Sequence, residues 1–351
     1  MRKIGVIFGG RSGEHDISLM SASAVLQAMD KKKYIPVPIG IDRDGNWYLA
    51  DSKLETIEKE VWIKKAKPLD PWTLKKHVDF VFPVLHGTMG EDGTLQGLME
   101  LLDIPYAGSG VLGSALCMDK ASTKDICAKN GIPTCKYKLV LAEDLDSNIA
   151  GIVKEITEEF QGAFFVKPAN AGSSLGITKV EDPMDIGKAL ALAGSFDRRI
   201  LVEEAIEGRE IETGVIGNEN PQASYPGEVT KGESYEYYDF EAKYSDSSGT
   251  RLDIPADLPT KTANRVRKIA VKAYRACDCS GFARVDFFIE KKTGRILLNE
   301  INTIPGLTKY SLFPLMWEAT GVEFTELIDK IVEYGDERYN HKNNRQTLRR
   351  R

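Results

Sequence analysis

The chain opens with a short apolar run that ends in two glycines and is followed by a helical pattern. Residues 4–8 are apolar, and apolar residues return with helical spacing over 17–29. Further apolar runs at 37–41 and 78–84 are bounded by turn residues. Strands that alternate with helices in this way favour a parallel sheet, so we predict an α/β domain over residues 1–108.

Two further groups of strand patterns follow. Apolar runs at 163–166 and 200–202 flank a glycine and serine loop at 172–176, which predicts a small α+β domain. A third group of runs, at 211–216, 283–289 and 295–301, encloses a long polar and aromatic stretch with the length of a functional lid. We therefore predict a central domain at 109–206, a C-terminal domain at 207–338 with a lid at about 232–249, and a frayed, solvated tail from Asp336 through the polar residues 339–351.

Charge and composition exclude several classes of partner. With 42% hydrophobic and 28% charged residues, the chain is typical of a soluble globular protein. A formal net charge of -5 disfavours binding to nucleic acid or to anionic lipid. The apolar run at 4–8 is too short for a signal peptide, and no stretch approaches the ~20 apolar residues of a membrane span. We expect a cytoplasmic protein with small-molecule partners, no nucleic-acid or membrane partner, and five reduced, structural cysteines.

Two predicted strands near the carboxyl end of the chain each carry two polar residues that are separated by two positions in sequence. Arg284 and Asp286 lie in one strand, and Glu300 and Asn302 lie in the next. Residues two apart on a strand face the same side, so adjacent strands bring three oxygen ligands and a guanidinium together. Such hard donors suit magnesium bound with substrate phosphates. The alternative, two polar strand faces that meet solvent, is disfavoured because both strands are otherwise apolar.

Two lysines lie in sequences that suit phosphate binding. Lys167 ends a predicted strand just before the loop at 172–176, whose backbone N–H groups can share negative charge with the ammonium. Lys243 lies in the predicted lid, whose aromatic residues can exclude water from a phosphorylated intermediate. A structural turn and a packed surface loop are the other interpretations of these segments. Together with the oxygen ligands, the lysines predict ATP-dependent phosphoryl transfer and leave the acceptor open.

His86 and the first glycine turn are less specific. His86 is compatible with a substrate contact or with a hydrogen-bonded core histidine, and the acidic turn at 91–94 with a helix N-cap. The Gly9-Gly10 turn lacks the G-x-G-x-x-G spacing, so a dinucleotide site is disfavoured.

Seven strings of residues occur in a fixed order between Lys3 and Glu333. They are FGGRSGEHDIS, HGTMGEDGTLQG, MDK, VKP, GSSLG, EAKY and NEINTIPG. In this order they resemble the D-alanine:D-alanine ligases. The resemblance implies a three-domain ATP-grasp fold of class α/β, with an N-terminal parallel-sheet domain and two α+β domains that clasp ATP.

The resemblance also implies roles for individual residues in nucleotide binding. Lys120 and Lys167 would hold the α and β phosphates, with Lys243 nearer the γ phosphate. Glu203 would meet the adenine amino group and Glu210 the ribose. Two Mg²⁺ ions, or Mn²⁺ in their place, would be bound by Asp286, Glu300 and Asn302.

The implied reaction joins two D-alanines through a D-alanyl phosphate. Arg284 and the Gly306 N–H would stabilise the oxyanion of the tetrahedral intermediate. The other implied catalytic and substrate-binding residues are Glu14 on the first ammonium, Ser173 and Tyr244 in a network with Glu14, His86 as a substrate contact, and Ser311 with Leu312 on the second carboxylate.

Two features bear on the second substrate. Tyr244 and Leu312 resemble the ligases that form D-alanyl-D-alanine, whereas Lys309-Tyr310 departs from the usual pattern beside Ser311. A D-alanine:D-serine ligase of the vancomycin-resistance type is the enzymatic alternative, and an inactive nucleotide-binding regulator is a remote one. By resemblance we expect a homodimer that supplies a peptidoglycan precursor.

Overall fold

The computed structural model describes residues 1–50, 54–172, 175–230 and 251–347, and within these ranges the chain forms three sheets. One sheet lies in each of the predicted ranges 1–108, 109–206 and 207–338, which supports that division as a proposal. None of the helices in the described ranges is both long enough and apolar enough to span a membrane. All five cysteines are free and buried, as the sequence predicts.

The first sheet has the strand order β4-β3-β2-β1-β5. The central strand β1 is parallel to β2 and to β5, which confirms the predicted parallel layer, while β3 and β4 add an antiparallel edge. Helix α1 follows β1 and buries its apolar side against the sheet. The bounds are β1 Arg2–Gly9, α1 His15–Ala28, β2 Tyr34–Ile41, β3 Trp47–Leu49, α2 Leu54–Glu58, β4 Lys67–Pro68, β5 Phe80–Pro83 and α3 Thr94–Leu102.

The second sheet is antiparallel, in the order β6-β9-β7-β8. Apolar residues of two helices pack on it and form a core of their own. Two earlier helices, α4 and α5, belong elsewhere: Cys117 and Cys127 on them share a core with the third sheet. The bounds are α4 Val111–Met118, α5 Lys120–Lys129, β6 Tyr137–Leu141, α6 Ala142–Glu159, β7 Phe164–Pro168, β8 Thr178–Val180, α7 Ile186–Gly194 and β9 Arg199–Glu204.

The third sheet carries the long strand pair that the sequence predicts to hold the polar constellation. Its order is β13-β12-β10-β14-β15, with β11 paired to β10, and all pairings are antiparallel. The bounds are β10 Gly208–Ile216, β11 Gln222–Ala223, β12 Gly227–Thr230, β13 Arg251–Asp253, α8 Thr260–Ala276, β14 Phe282–Glu290, β15 Ile296–Asn302, α9 Leu312–Ala319 and α10 Phe324–Thr347.

The last helix joins the two ends of the chain. Asp336 on α10 accepts two hydrogen bonds from Arg2 on β1, the longer at 2.6 Å, and Tyr339 donates to Asp103 at 2.8 Å. The expectation of a frayed tail is therefore wrong for residues 336–347, which are helical and pair with polar residues of the first domain, while residues 348–351 lie outside the described ranges. Periodicity alone misses such a helix, since its later turns are held by ion pairs rather than by an apolar stripe.

Candidate active site

One cleft of about 460 Å³ brings together strand residues of the second and third sheets and loop residues of the first domain. It is walled by strand ends of the second and third sheets and closed on one side by loops of the first. Every predicted site residue in the described ranges lines it, whereas Ser173, Lys243 and Tyr244 lie outside those ranges. The lining residues that the sequence predicts are Glu14, His86, Lys120, Lys167, Glu203, Glu210, Arg284, Asp286, Glu300, Asn302, Gly306, Ser311 and Leu312.

Strands β14 and β15 place the polar constellation as the two-residue period predicts. Asp286 stands opposite Glu300, and Arg284 stands opposite Asn302, in the antiparallel register. The Asn302 amide donates to Asp286 at 3.0 Å. The constellation is thus a compact cluster at one edge of the cleft rather than a solvated strand face.

Arg284 is held by two carboxylates. It donates to both oxygens of Asp286, at 2.8 and 2.7 Å, and lies 2.8 Å from Glu212 on β10. Burial by itself lowers the pKa of a guanidinium, but Asp286 and Glu212 raise the pKa of Arg284 well above its ordinary value. Arg284 is therefore a fixed cation. Sequence reasoning missed Glu212, although it follows Glu210 by two residues and so shares its strand face.

The lysines of the cleft are also paired with carboxylates. Lys120 Nζ lies 3.3 Å from Glu300 and donates to the Ala171 carbonyl at 2.9 Å. Lys167 Nζ lies 2.5 Å from Glu203. Burial by itself would raise the pKa of Glu203, but Lys167 and a further lysine, Lys124, lower it to about 2. Phosphates and metal ions that enter the cleft would thus exchange partners with existing ion pairs.

The donor set fits magnesium. Asp286 and Glu300 offer carboxylate oxygens side by side, and Asn302 offers an amide oxygen from the same face. Within the described ranges, no group of three or more His, Cys, Asp or Glu side chains could hold a metal ion without further ligands. Two carboxylates completed by substrate phosphates are the arrangement that magnesium usually takes.

A buried chain of hydrogen bonds holds the loop after β15, here called the 304–307 loop. His86 Nδ1 lies 2.8 Å from the Ile304 carbonyl, and its Nε2 lies 2.8 Å from Ser21 Oγ. Ser21 Oγ accepts from Leu307 N at 3.3 Å, and Glu91 accepts from Ile304 N at 3.0 Å. Both ring nitrogens of His86 are occupied by protein partners, so a substrate contact would be left to a ring carbon. The ring thus holds the loop that carries Gly306, and its role as a substrate contact stays a prediction.

Glu14 lies between two glycines that admit its carboxylate. A Cβ at Gly87 or at Gly172 would lie 2.6 or 2.7 Å from its Oε2. Gly87 also has a φ of +75°, which favours glycine. The close approach explains why glycine occupies both positions, since a side chain at either one would collide with the Glu14 carboxylate.

Ser311 precedes helix α9 as its N-cap residue, Leu312 is the first residue of the helix, and both line the cleft. Ser311 Oγ accepts from Thr308 N at 3.1 Å and pairs with the Thr308 hydroxyl at 2.8 Å. Leu312 is buried against Val229 and Met316. An amino-terminal helix end with a hydroxyl beside it suits a carboxylate.

Two family models match most of the chain. The model described as "D-ala D-ala ligase N-terminus" matches residues 3–109, and "D-ala D-ala ligase C-terminus" matches residues 126–333. The chain belongs to the D-alanine–D-alanine ligase family. This confirms the resemblance in the sequence and, with it, the α/β ATP-grasp fold.

Known members of the ligase family align with the chain over nearly its whole length. A D-alanine–D-alanine ligase of Thermoanaerobacter sp. (strain X514) is 46% identical, over 97% of this chain and 98% of its own. One from Acetivibrio thermocellus is 41% identical, over 97% of each chain.

Solved structures of ligases share the fold. The VanG D-Ala:D-Ser ligase from Enterococcus faecalis is 36% identical with a TM-score of 0.86, covering 95% of this chain and 99% of that one. The D-alanine-D-alanine ligase from Coxiella burnetii is 34% identical with a TM-score of 0.87, covering 100% and 99%.

Proposed function

We infer that this protein is an ATP-dependent, ADP-forming ligase that joins two D-alanines into D-alanyl-D-alanine for peptidoglycan precursor synthesis. The observation that carries this is the single cleft in which phosphate-binding lysines, hard oxygen ligands and a fixed guanidinium converge. Family membership supplies the substrates, which charge and geometry alone leave open.

The nucleotide is proposed to lie between the second and third sheets. Lys120 and Lys167 would bind the α and β phosphates, with Lys243 near the γ phosphate, while Glu203 meets the adenine amino group and Glu210 the ribose. Asp286, Glu300 and Asn302 would hold two Mg²⁺ ions, or Mn²⁺, which neutralise the phosphoryl oxygens when bound. The support is the placement of these oxygen donors side by side next to Lys120.

The chain's residues would divide the reaction into two charge problems. In the first step the carboxylate of one D-alanine, held through its ammonium by Glu14, attacks the γ phosphorus and ADP leaves. In the second step the amine of the other D-alanine attacks the acyl phosphate carbonyl, and phosphate is expelled. Arg284 and the Gly306 N–H would stabilise the tetrahedral oxyanion, and the fixed position of Arg284 supports that role. Ser173 and Tyr244 would close the network with Glu14.

The second subsite is proposed at Ser311 and Leu312, with D-alanine as its ligand. The burial of Leu312 among apolar side chains favours a methyl group over a hydroxymethyl group. The D-serine alternative keeps one specific observation on its side, since Tyr310, which departs from the usual pattern, lines the same cleft. We further propose a cytoplasmic homodimer, which light scattering of the purified protein and fractionation of cells would test.

The decisive experiment measures phosphate release from MgATP with D-alanine, D-serine or D-lactate, alone and paired with D-alanine, with products identified by mass. D-alanyl-D-alanine as the main product would support the proposal. D-alanyl-D-serine as the preferred product would favour the D-serine alternative, D-alanyl-D-lactate would contradict both interpretations of the second subsite, and absence of D-alanine-dependent ATP use would contradict the proposal as a whole.

A further inference from the structure

Lys124 is a fully buried lysine that the reaction outlined above does not use. It lies four residues after Lys120, on the same side of helix α5, with a side-chain exposure of 0%. Lysines are almost never buried completely unless they are paired. Lys120 and Lys167 line the cleft, but Lys124 is not among its described lining residues. Lys124 therefore lies behind the site rather than in it.

The Lys124 ammonium joins three elements. It forms an ion pair with Glu203 on β9, and it donates to the Asn299 carbonyl on β15 at 3.1 Å. Asn299 directly precedes Glu300, the proposed metal ligand. A single buried cation therefore connects the second sheet, the third sheet and helix α5 at the floor of the cleft.

Glu203 carries two lysines where one would balance its charge. Lys124 pairs with one carboxylate oxygen and Lys167 with the other, and the exposed fractions of the Glu203 and Lys167 side chains are only 4% and 11%. A buried carboxylate that loses its only cation pays a large desolvation penalty. With Lys124 in place, however, Lys167 can leave Glu203 without stranding it.

We propose that Lys124 is a positioning residue for the nucleotide: it is the permanent counter-ion of Glu203, which frees Lys167 to move onto a phosphate while Glu203 stays charged for the adenine amino group. This rests on the proposed function, in which Glu203 meets adenine and Lys167 meets phosphate. Lys124 itself touches neither.

The proposal separates two ligands. Adenosine needs Glu203 but has no phosphate, so Lys167 remains on Glu203 when adenosine binds. ADP draws Lys167 away, and in a Lys124→Met variant this leaves Glu203 without a cation. We expect Lys124→Met to weaken MgADP binding by about tenfold to a hundredfold, within the range for a buried polar group that loses its partner, and adenosine binding by less than about threefold.

The experiment compares inhibition constants of MgADP and adenosine against ATP in the wild type, Lys124→Met and Lys124→Gln. Gln can still donate to Glu203 and Asn299, so it tests the charge alone and covers the case in which Met fails to fold. The matched control is Lys138→Met. Lys138 lies on β6, is not among the residues that line the cleft, and forms an ion pair with Glu155 at 3.0 Å. In the Lys124 variants the KM for ATP should rise while the KM for D-alanine is unchanged.

Equal weakening of ADP and adenosine, or a fall in kcat at unchanged KM for ATP, would overturn the proposal and leave Lys124 a purely structural residue. The failure of the proposed function is distinguishable, because the wild type itself would then bind neither ligand nor use ATP with D-alanine.

Discussion

The cleft has two halves, called here the nucleotide half and the acceptor half after the ligands proposed for them, and they are held in opposite ways. The nucleotide half is built from charged side chains on strands and on helix α5, and each cation there already has an anion. The acceptor half is built from the loop after β15 and the start of α9, and it is held mainly by backbone groups and neutral side chains. The nucleotide half comprises Lys120, Lys124, Lys167, Glu203, Arg284, Asp286 and Glu300, and the acceptor half comprises Ser21, His86, Glu91, residues 304–307, Thr308, Ser311 and Leu312.

This difference indicates what each half has to do. Ion pairs such as Lys120 with Glu300 keep the buried charges neutralised, and they can be exchanged when phosphates arrive. In the acceptor half, Glu91 instead accepts from the Ile304 N–H, His86 Nδ1 pairs with the Ile304 carbonyl, and Ser21 accepts from the Leu307 N–H. A loop that presents an oxyanion donor has to be positioned before the reaction, because a preorganised donor needs no reorganisation in the transition state.

The largest effect is expected at the nucleotide half from Glu300→Ala. It removes a proposed metal ligand and leaves Lys120 without its carboxylate. Turnover should fall about a thousandfold or more, because charge stabilisation of a transferring phosphoryl group is worth about 10³-fold to 10⁵-fold. Steady-state phosphate release measures this, and circular dichroism checks the fold. Glu290→Ala on the neighbouring strand, whose partner is Arg295 at 3.1 Å, should keep its activity. Turnover of Glu300→Ala near that of the wild type would remove Glu300 from the metal site.

Arg284→Lys tests whether the guanidinium works by charge or by geometry. Lysine keeps the charge but cannot bind Asp286 through two nitrogens and Glu212 at the same time. We expect kcat to fall about 10²-fold to 10³-fold, as for the loss of one oxyanion donor. Arg209→Lys is the matched control, since Arg209 on β10 donates through two nitrogens to Glu228 on β12, at 2.7 and 2.6 Å. If both variants lose activity equally, the effect lies in the sheet and not in the chemistry.

The nucleotide half was largely predictable from sequence, and the reason is local. Arg284, Asp286, Glu300 and Asn302 are related by a two-residue period within strands, which a single strand pairing then brings together. Lys124 follows Lys120 by four residues, a spacing that places two side chains on one face of a helix, but no helix is predicted there from the sequence.

The acceptor half was not predictable in this way. Ser21, His86 and Ile304 meet across 65 and 218 positions of sequence, so their bonds depend on how the first and third sheets pack. Glu212 was missed for a related reason, because its pairing with Arg284 depends on the register of β10 with β14. A local two-residue or helical period predicts neither how two sheets pack nor the register between strands that are distant in sequence.

Ser21→Ala sharpens the comparison from the acceptor side. It removes the hydroxyl that links His86 Nε2 with Leu307 N and leaves a buried ring nitrogen unpaired. We expect kcat to fall about tenfold, or 1 to 2 kcal/mol, with the KM for ATP unchanged. Ser23→Ala on the same helix is the control, because Ser23 bonds Glu58 and not the loop. A raised KM for ATP with normal kcat would mean that the two halves are not separately held.

The smallest effect concerns stability and pH at Glu91, an ionisable carboxyl within the acceptor half. Burial and the nearby charge of Glu14 raise the pKa of Glu91 to about 8. The backbone N–H groups of Gly87 and Ile304 and the charge of Arg284 act in the opposite direction and lower this pKa, but by less. Below the ordinary pKa of 4.5 the folded and unfolded carboxyls are both protonated. Between that value and about 8 only the folded form keeps its proton, so the contribution of Glu91 to stability is lost as the pH rises through this window.

Melting temperatures of the ligand-free protein and of Glu91→Gln, measured from pH 5 to pH 9, test this sign. Gln cannot ionise, so the wild type should lose stability relative to the variant as the pH rises, and Glu55→Gln at an exposed position should follow the wild type. Parallel curves for the wild type and Glu91→Gln would show that the two backbone N–H groups already keep Glu91 ionised. The acceptor half would then be fixed by a charge as firmly paired as any in the nucleotide half, and the contrast would lie in whether the partner is backbone or a mobile lysine.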